Sequence, residues 1–183
     1  MSAGLPRIEY EDIEPTLKEL FRPRVERLGY LGEFFRVMSA TPETMTGFFT
    51  ITESLKKVLP DNFTEIVSLS LSSRLGNLYE QYQNERLSLK LGLSKEWVAE
   101  ALTPRSGDSS IFTPEEKAVQ AFAIAVLDSK GRSVDGELET VIAAIGPEKT
   151  VGVMWLIGRT VTHALISNTL KLEPPVTSIF AED

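Results

Sequence analysis

Prolines sit where helices start, glycines sit where they stop, and the alternating apolar pattern of a strand hardly occurs anywhere in the chain. Proline at a first helical position gives up only an N–H that has no partner there, and its fixed φ already suits the helix. Thr41-Pro42 and Thr113-Pro114 carry this signal, and Glu116 completes a capping box with Thr113. Pro147 opens the last helix in the same way. The apolar spacing between these marks predicts helices over Glu11–Leu28, Leu31–Ser39, Thr41 to about Val58, and Phe63 to about Leu91. Pro15 fits the first turn of the first helix and Pro23 ends or kinks it, while Leu75-Gly76 is a hinge within the fourth stretch and Gly92 stops it. Further helices are expected over Ser94–Leu102, Thr113–Leu127, Val134–Ile145 and Pro147 to about Lys171. A loop covers Pro104–Ser110, a turn covers Ser129–Arg132, and Pro174-Pro175 ends all helix and leaves an extended tail. The expectation is a single all-α domain over residues 1–183, with about eight helices.

Composition removes several function classes. With 19 basic against 26 acidic residues the net charge is −7, which disfavours nucleic acid or an anionic membrane surface as partner. The chain has no cysteine, so disulfides, thiolate zinc sites and thiol redox chemistry are excluded. His163 is its one histidine, which excludes any site that needs two imidazoles. The N-terminal stretch lacks the apolar run of a signal peptide, and no segment reaches the ~18 apolar residues of a membrane span. A cytoplasmic protein is expected.

Two regions carry the candidate chemistry. The last helix is nearly all apolar, and Arg159 and His163 lie one turn apart on a shared face. A helix apolar all round is buried on every side, in a core or between subunits. The sequence leaves two readings of His163: a buried neutral histidine, or a site residue. In the stretch from Thr64 to Leu91, Glu65 lies among Ile66, Val67, Leu69 and Leu71, with small serines between them. Asn77, Glu80 and Asn84 then form one helical stripe that continues into apolar Leu87 and Leu91. An exposed stripe has no reason to turn apolar, so these polar residues are candidates to point inward. A buried carboxylate is costly unless it is paired or protonated.

The run from Glu65 to Leu102, with FTPEEKAVQAFAIAVL and MWLIGRTVTHALISNTLKL further on, resembles the carboxymuconolactone decarboxylase family, which includes the alkylhydroperoxidase D (AhpD) proteins. The resemblance spans about Met45 to Leu172 and implies the AhpD-like helical bundle, assembled as a trimer or hexamer. The family's peroxidase motif places a Glu, a Cys, a second Cys and a His where this chain has Glu65, Asn77, Glu80 and Asn84. Decarboxylase-like members often have a Glu at the position of Glu80. Two carboxylates are therefore kept, while both thiols and the motif imidazole are lost.

Without a thiolate there is no sulfenic acid or disulfide to form, so thiol peroxidase chemistry is excluded. The resemblance implies a lyase or isomerase acting on a small unsaturated or lactone organic acid, without a cofactor or metal. Two carboxylates in one poorly hydrated cavity repel, so one keeps its proton near neutral pH and serves as general acid. Glu65, Glu80 and His163 are the expected catalytic residues, His163 only if the last helix faces the same cavity. Asn77, Tyr79, Tyr82 and Asn84 are expected to contact substrate, with Asn77 and Asn84 holding Glu80. On this reading Glu80→Gln relieves repulsion and leaves stability unchanged or higher. A homo-oligomer is expected from the apolar last helix and the PPVTSIF tail. The rival reading is a non-catalytic oligomeric binding or assembly protein whose motif has decayed. A cavity beside the carboxylates favours the enzyme, and a closed hydrogen-bond network without a void favours the rival.

Overall fold

The computed structural model describes residues 4–103 and 110–181, and among these it contains helices and no strand. After a short 3-10 turn at Tyr10–Asp12 come α1 (Pro15–Leu28), α2 (Glu33–Met38), α3 (Pro42–Leu55) and α4 (Asp61–Arg74). They are followed by α5 (Leu78–Lys90), α6 (Lys95–Leu102), α7 (Pro114–Ser129), α8 (Asp135–Ile145) and α9 (Pro147–Thr169). The expected loop at 104–110 lies, but for its last residue, outside the described residues.

Local chemistry sets the boundaries. α1 starts four residues later than expected, because the Glu14 side chain accepts hydrogen bonds from the N–H groups of Thr16 and Leu17 and caps the helix directly before Pro15. Pro23 does not end it: α1 runs through to Leu28 and stops at Gly29, whose φ is +80°. Leu17 and Phe21, both fully buried, hold that helix against the core. The capping box forms as expected, with the Glu116 N–H donating to Thr113 Oγ1 at 3.2 Å and the Thr113 N–H to Glu116 Oε2 at 2.8 Å. Between α4 and α5 the chain turns at Leu75, Gly76 and Asn77, the hinge read from the sequence. Gly76 has φ +64°, the left-handed region that side chains disfavour, and Asn77 caps α5 by accepting from the Glu80 N–H.

α4 is the axis of the bundle. It packs against α5, α6, α7 and α9, and its residues from Phe63 to Ser72 are buried apart from Thr64. Ile66, Val67, Leu69 and Leu71 join Val98, Val119, Phe122, Val141, Val153 and Leu156 in one apolar cluster. Each such side chain contributes roughly 1.5–3 kcal/mol when fully buried. A second cluster ties α1, α2 and α3 to Tyr79 and Leu170 through Leu17, Phe21, Phe34, Phe35 and Phe49. Glu80, Arg159 and His163 sit at the seam between the two.

The C-terminal third is only partly covered within one chain. α9 is not buried all round, since Val151, Met154, Trp155 and Leu165 are 51–61% exposed along one side of it. The tail, in turn, is docked on its own chain. Arg86 donates to the carbonyl and Oγ1 of Thr177, and Glu85 Oε2 accepts from Ser178 Oγ and the Ile179 N–H.

Candidate active site

Helical spacing carries the site residues to one place. Thr64, Glu65 and Ser68 on α4, Glu80, Gln83, Asn84 and Leu87 on α5, and Leu156, Arg159 and His163 on α9 line one cavity of about 120 Å³. Arg24 and Arg27 of α1, Thr52 and Leu55 of α3, Lys56 just past its end, Phe35 and Tyr79 complete its wall. The serine at position 68 leaves room that a larger side chain would fill.

Glu80 is the hub. Its Oε1 accepts from Arg159 Nη1 at 2.5 Å, and its Oε2 lies 3.1 Å from His163 Nδ1 and 3.4 Å from Asn77 Nδ2. Arg159 also donates from Nε to Thr52 Oγ1 at 3.3 Å. Phe34 stacks on the His163 ring with centroids 4.0 Å apart, and the Tyr79 ring lies near-parallel to it at 6.0 Å. Burial drives the Glu80 carboxyl upward, but His163 and Arg159 more than offset it and hold the group well below the usual carboxylate range. The Arg159 guanidinium contributes its part of that pull whatever the state of the imidazole. Burial pulls His163 below its ordinary value, against the attraction of Glu80. At neutral pH the imidazole is therefore neutral, donating from Nδ1 to Glu80 and keeping Nε2 as its basic nitrogen.

Glu65 solves the same burial problem differently. Among the described residues it has no cationic partner; Ser88 Oγ on α5 donates to its Oε2 at 3.3 Å. Burial pushes its carboxyl up to about 8, the Ser88 bond pulls it back, and the charge of Glu80 raises it further. One cavity thus holds a protonated carboxyl and an ionised one. Of the two expected causes, burial is the larger part and repulsion from Glu80 the smaller.

The other sequence-predicted residues divide. Asn77 holds Glu80 as expected, through both its cap and its side-chain amide. Asn84 lines the cavity but does not hold Glu80, and its Nδ2 is buried without a partner. Tyr79 forms part of the wall, and its hydroxyl accepts from the Phe34 N–H at 3.3 Å. Tyr82 does not reach the cavity: two residues beyond Glu80 on α5, it lies on the far side of the helix from residues 80, 83, 84 and 87. Leu91, expected to continue the inward stripe, is 40% exposed just past the end of α5. Sequence reading missed Arg24, Thr52, Phe34 and Ser88. Arg24 was visible in principle, since it stands at core register from Leu17 and Phe21.

Among the described residues no group of three or more potential ligands could hold a metal ion, and no helix is long and apolar enough to cross a membrane.

No family model matches the chain, and no curated protein matches it. Its fold, however, is that of the AhpD-like proteins. The debrominase Bmp8 superposes with a TM-score of 0.81 at 16% identity, covering 95% of this chain and 93% of that one. A cysteine-to-alanine variant of Bmp8, in complex with 2,3,4-tribromopyrrole, is equally similar in fold. An uncharacterised peroxidase-related protein with an alkylhydroperoxidase AhpD core, from Ralstonia eutropha, gives 0.78 at 13% identity over 93% of each chain. A protein of unknown function from Agrobacterium tumefaciens, described as a putative antioxidant defence protein AhpD, gives 0.69 at 23% identity over 75% of this chain and 94% of its own. The class is an AhpD-like helical bundle. Within it, this chain is a member of the fold without cysteine.

Proposed function

We propose that the cavity carries out proton transfer on a small unsaturated or lactone organic acid, as a decarboxylase-like lyase or an isomerase working without a thiol. The observation that supports this is the pairing, across one cavity, of a carboxyl that keeps its proton at neutral pH with a Glu80–His163 couple whose imidazole is neutral. A cavity of about 120 Å³ beside them also favours an enzyme over a closed structural network. In the lyase reaction the bond from carbon to the substrate carboxylate breaks, and its electron pair passes into the conjugated carbonyl. CO₂ leaves, the carbanionic carbon takes the Glu65 proton, and Glu65 is then reprotonated by water. In the isomerase reaction neutral His163 removes a proton from carbon, Glu65 delivers one to the other end of the conjugated system, and exchange with water returns a proton from the imidazolium to Glu65. Glu80, fixed by Arg159 and Asn77, stabilises the imidazolium that forms.

The exposed apolar side of α9 supports assembly as a homo-oligomer, in the trimer or hexamer that the family resemblance implies.

A panel of unsaturated and lactone acids, incubated with the protein in D₂O and followed by NMR, tests the reaction. The expected result is release of CO₂, or double-bond migration, with one deuterium incorporated at carbon, and loss of both in Glu65→Gln. Turnover that persists unchanged in Glu65→Gln would overturn the assignment.

A further inference from the structure

Next to the inner cavity is a larger one of about 460 Å³, and the two share Arg24, Arg27, Gln83, Asn84 and Leu87 as a common wall. Its charge is one-sided. Among the described residues Arg24, Arg27, Arg86 and Lys90 line it and no carboxylate does, in a chain whose net charge is −7. Apolar side chains, among them Leu87 and the tail residues Val176 and Ile179, supply the rest of its lining. The tail is held there by the two bonds from Arg86 to Thr177.

The shared wall contains donors with nothing to bond. Arg24 makes no ion pair or hydrogen bond among the described residues. Its guanidinium lies over the Phe35 ring at 4.4 Å, and its Nε is sealed from solvent without a partner. Asn84 Nδ2 on the same wall is also buried and unpartnered. Burial, together with Arg159 and Arg27 nearby, pulls Arg24 down to about 10, the direction expected of a guanidinium that lacks a counter-ion. Leaving buried polar groups unpaired costs stability, and an anion in the cavity would give the Arg24 guanidinium the counter-charge it lacks.

We propose that this outer cavity is an anion-binding vestibule in which Arg24 and Asn84, helped by Arg27 and Lys90, anchor an acidic group of an elongated, partly apolar organic anion. Its other end is the part that reaches Glu65 and His163, and only that placement rests on the proposed proton-transfer reaction. The substrate class is thereby narrowed to molecules with a carboxylate or phosphate at one end, an apolar middle, and the reacting carbon at the other.

Binding without turnover tests this. Phenylacetate, phenyl phosphate and neutral 2-phenylethanol are titrated into the full chain by NMR, with wild type compared against Arg24→Leu and Glu65→Gln. The expected result is saturable binding of at least one anion, no binding of the alcohol, and about tenfold or greater weakening in Arg24→Leu. The two anions show whether carboxylate or phosphate is preferred. Arg24→Leu should also melt at a temperature equal to or above that of wild type, because it removes an uncompensated buried charge; a merely structural arginine would give a lower one. Glu65→Gln should bind the anion as wild type does, which separates failure of the vestibule from failure of the proton-transfer reading. Equal affinity of wild type and Arg24→Leu, or no affinity for either anion, would overturn the proposal.

Discussion

His163 Nδ1, on the last helix, lies 3.1 Å from Oε2 of Glu80, near the start of α5, while Arg159 one turn earlier holds the carboxylate's other oxygen. The contact brings together residues that no local sequence pattern pairs. It gives Glu80 a fixed charge and His163 a fixed tautomer. Side-chain exposures of 8% for Glu80 and 10% for Arg159 mean that water does little to screen the pair.

Removing the Glu80 charge should therefore be costly, contrary to the expectation from repulsion alone. Glu80→Gln leaves Arg159 buried without its counter-ion, and breaking a buried pair in this way costs about 3–5 kcal/mol. Urea denaturation at pH 7 measures it. Glu80→Gln combined with Arg159→Met should recover a large part of the loss, because no uncompensated charge then remains.

Stability should fall as pH rises through the range where Glu65 ionises in the unfolded chain but not in the folded one. The folded carboxyl is pushed up to about 8 from an ordinary 4.5, so its stabilising contribution is complete below about pH 4.5 and is lost by about pH 8. The full effect is on the order of a few kcal/mol. The difference in unfolding free energy between wild type and Glu65→Gln isolates it: this difference should shift against wild type from pH 5 to pH 9. A difference independent of pH would mean that Glu65 is ionised in the fold.

Assembly should depend on the open side of α9. Wild type should scatter light as a multiple of the 20.3 kDa chain, and Trp155→Glu, at a position 61% exposed, should shift it towards monomer without loss of helical content. A wild-type monomer at micromolar concentration would remove the basis for a trimer or hexamer.

Much of the fold was legible because its signals are local. The Thr113–Glu116 capping box, the Gly76 hinge and the proline at the start of α9 each act within a few residues. The boundary of α1 was missed because a glutamate cap is a weaker signal than the apolar spacing around it, and Glu14 was read as helix. Two carboxylates facing one cavity were also legible, from the polar stripe on α5 and from Glu65 among apolar neighbours. Which of the two keeps its proton was not. Whether a buried carboxyl pairs or protonates depends on which cation reaches it, and Arg159 reaches Glu80 from another helix while the bond to Glu65 comes from the neutral hydroxyl of Ser88. Asn84 illustrates the same limit, since a helical stripe gives direction but not reach; Tyr82 lies off that stripe and faces away.

Carbon-13 NMR of the protein labelled at the glutamate δ-carbons tests the central claim without any substrate. Glu65→Gln identifies the Glu65 carboxyl resonance and Glu80→Gln that of Glu80. The Glu65 resonance should titrate near pH 8, while that of Glu80 stays in its ionised position well below the ordinary carboxylate range. A Glu65 carboxyl that titrates near 4.5 would contradict the account, because the cavity would then hold two carboxylates and no acid to deliver a proton.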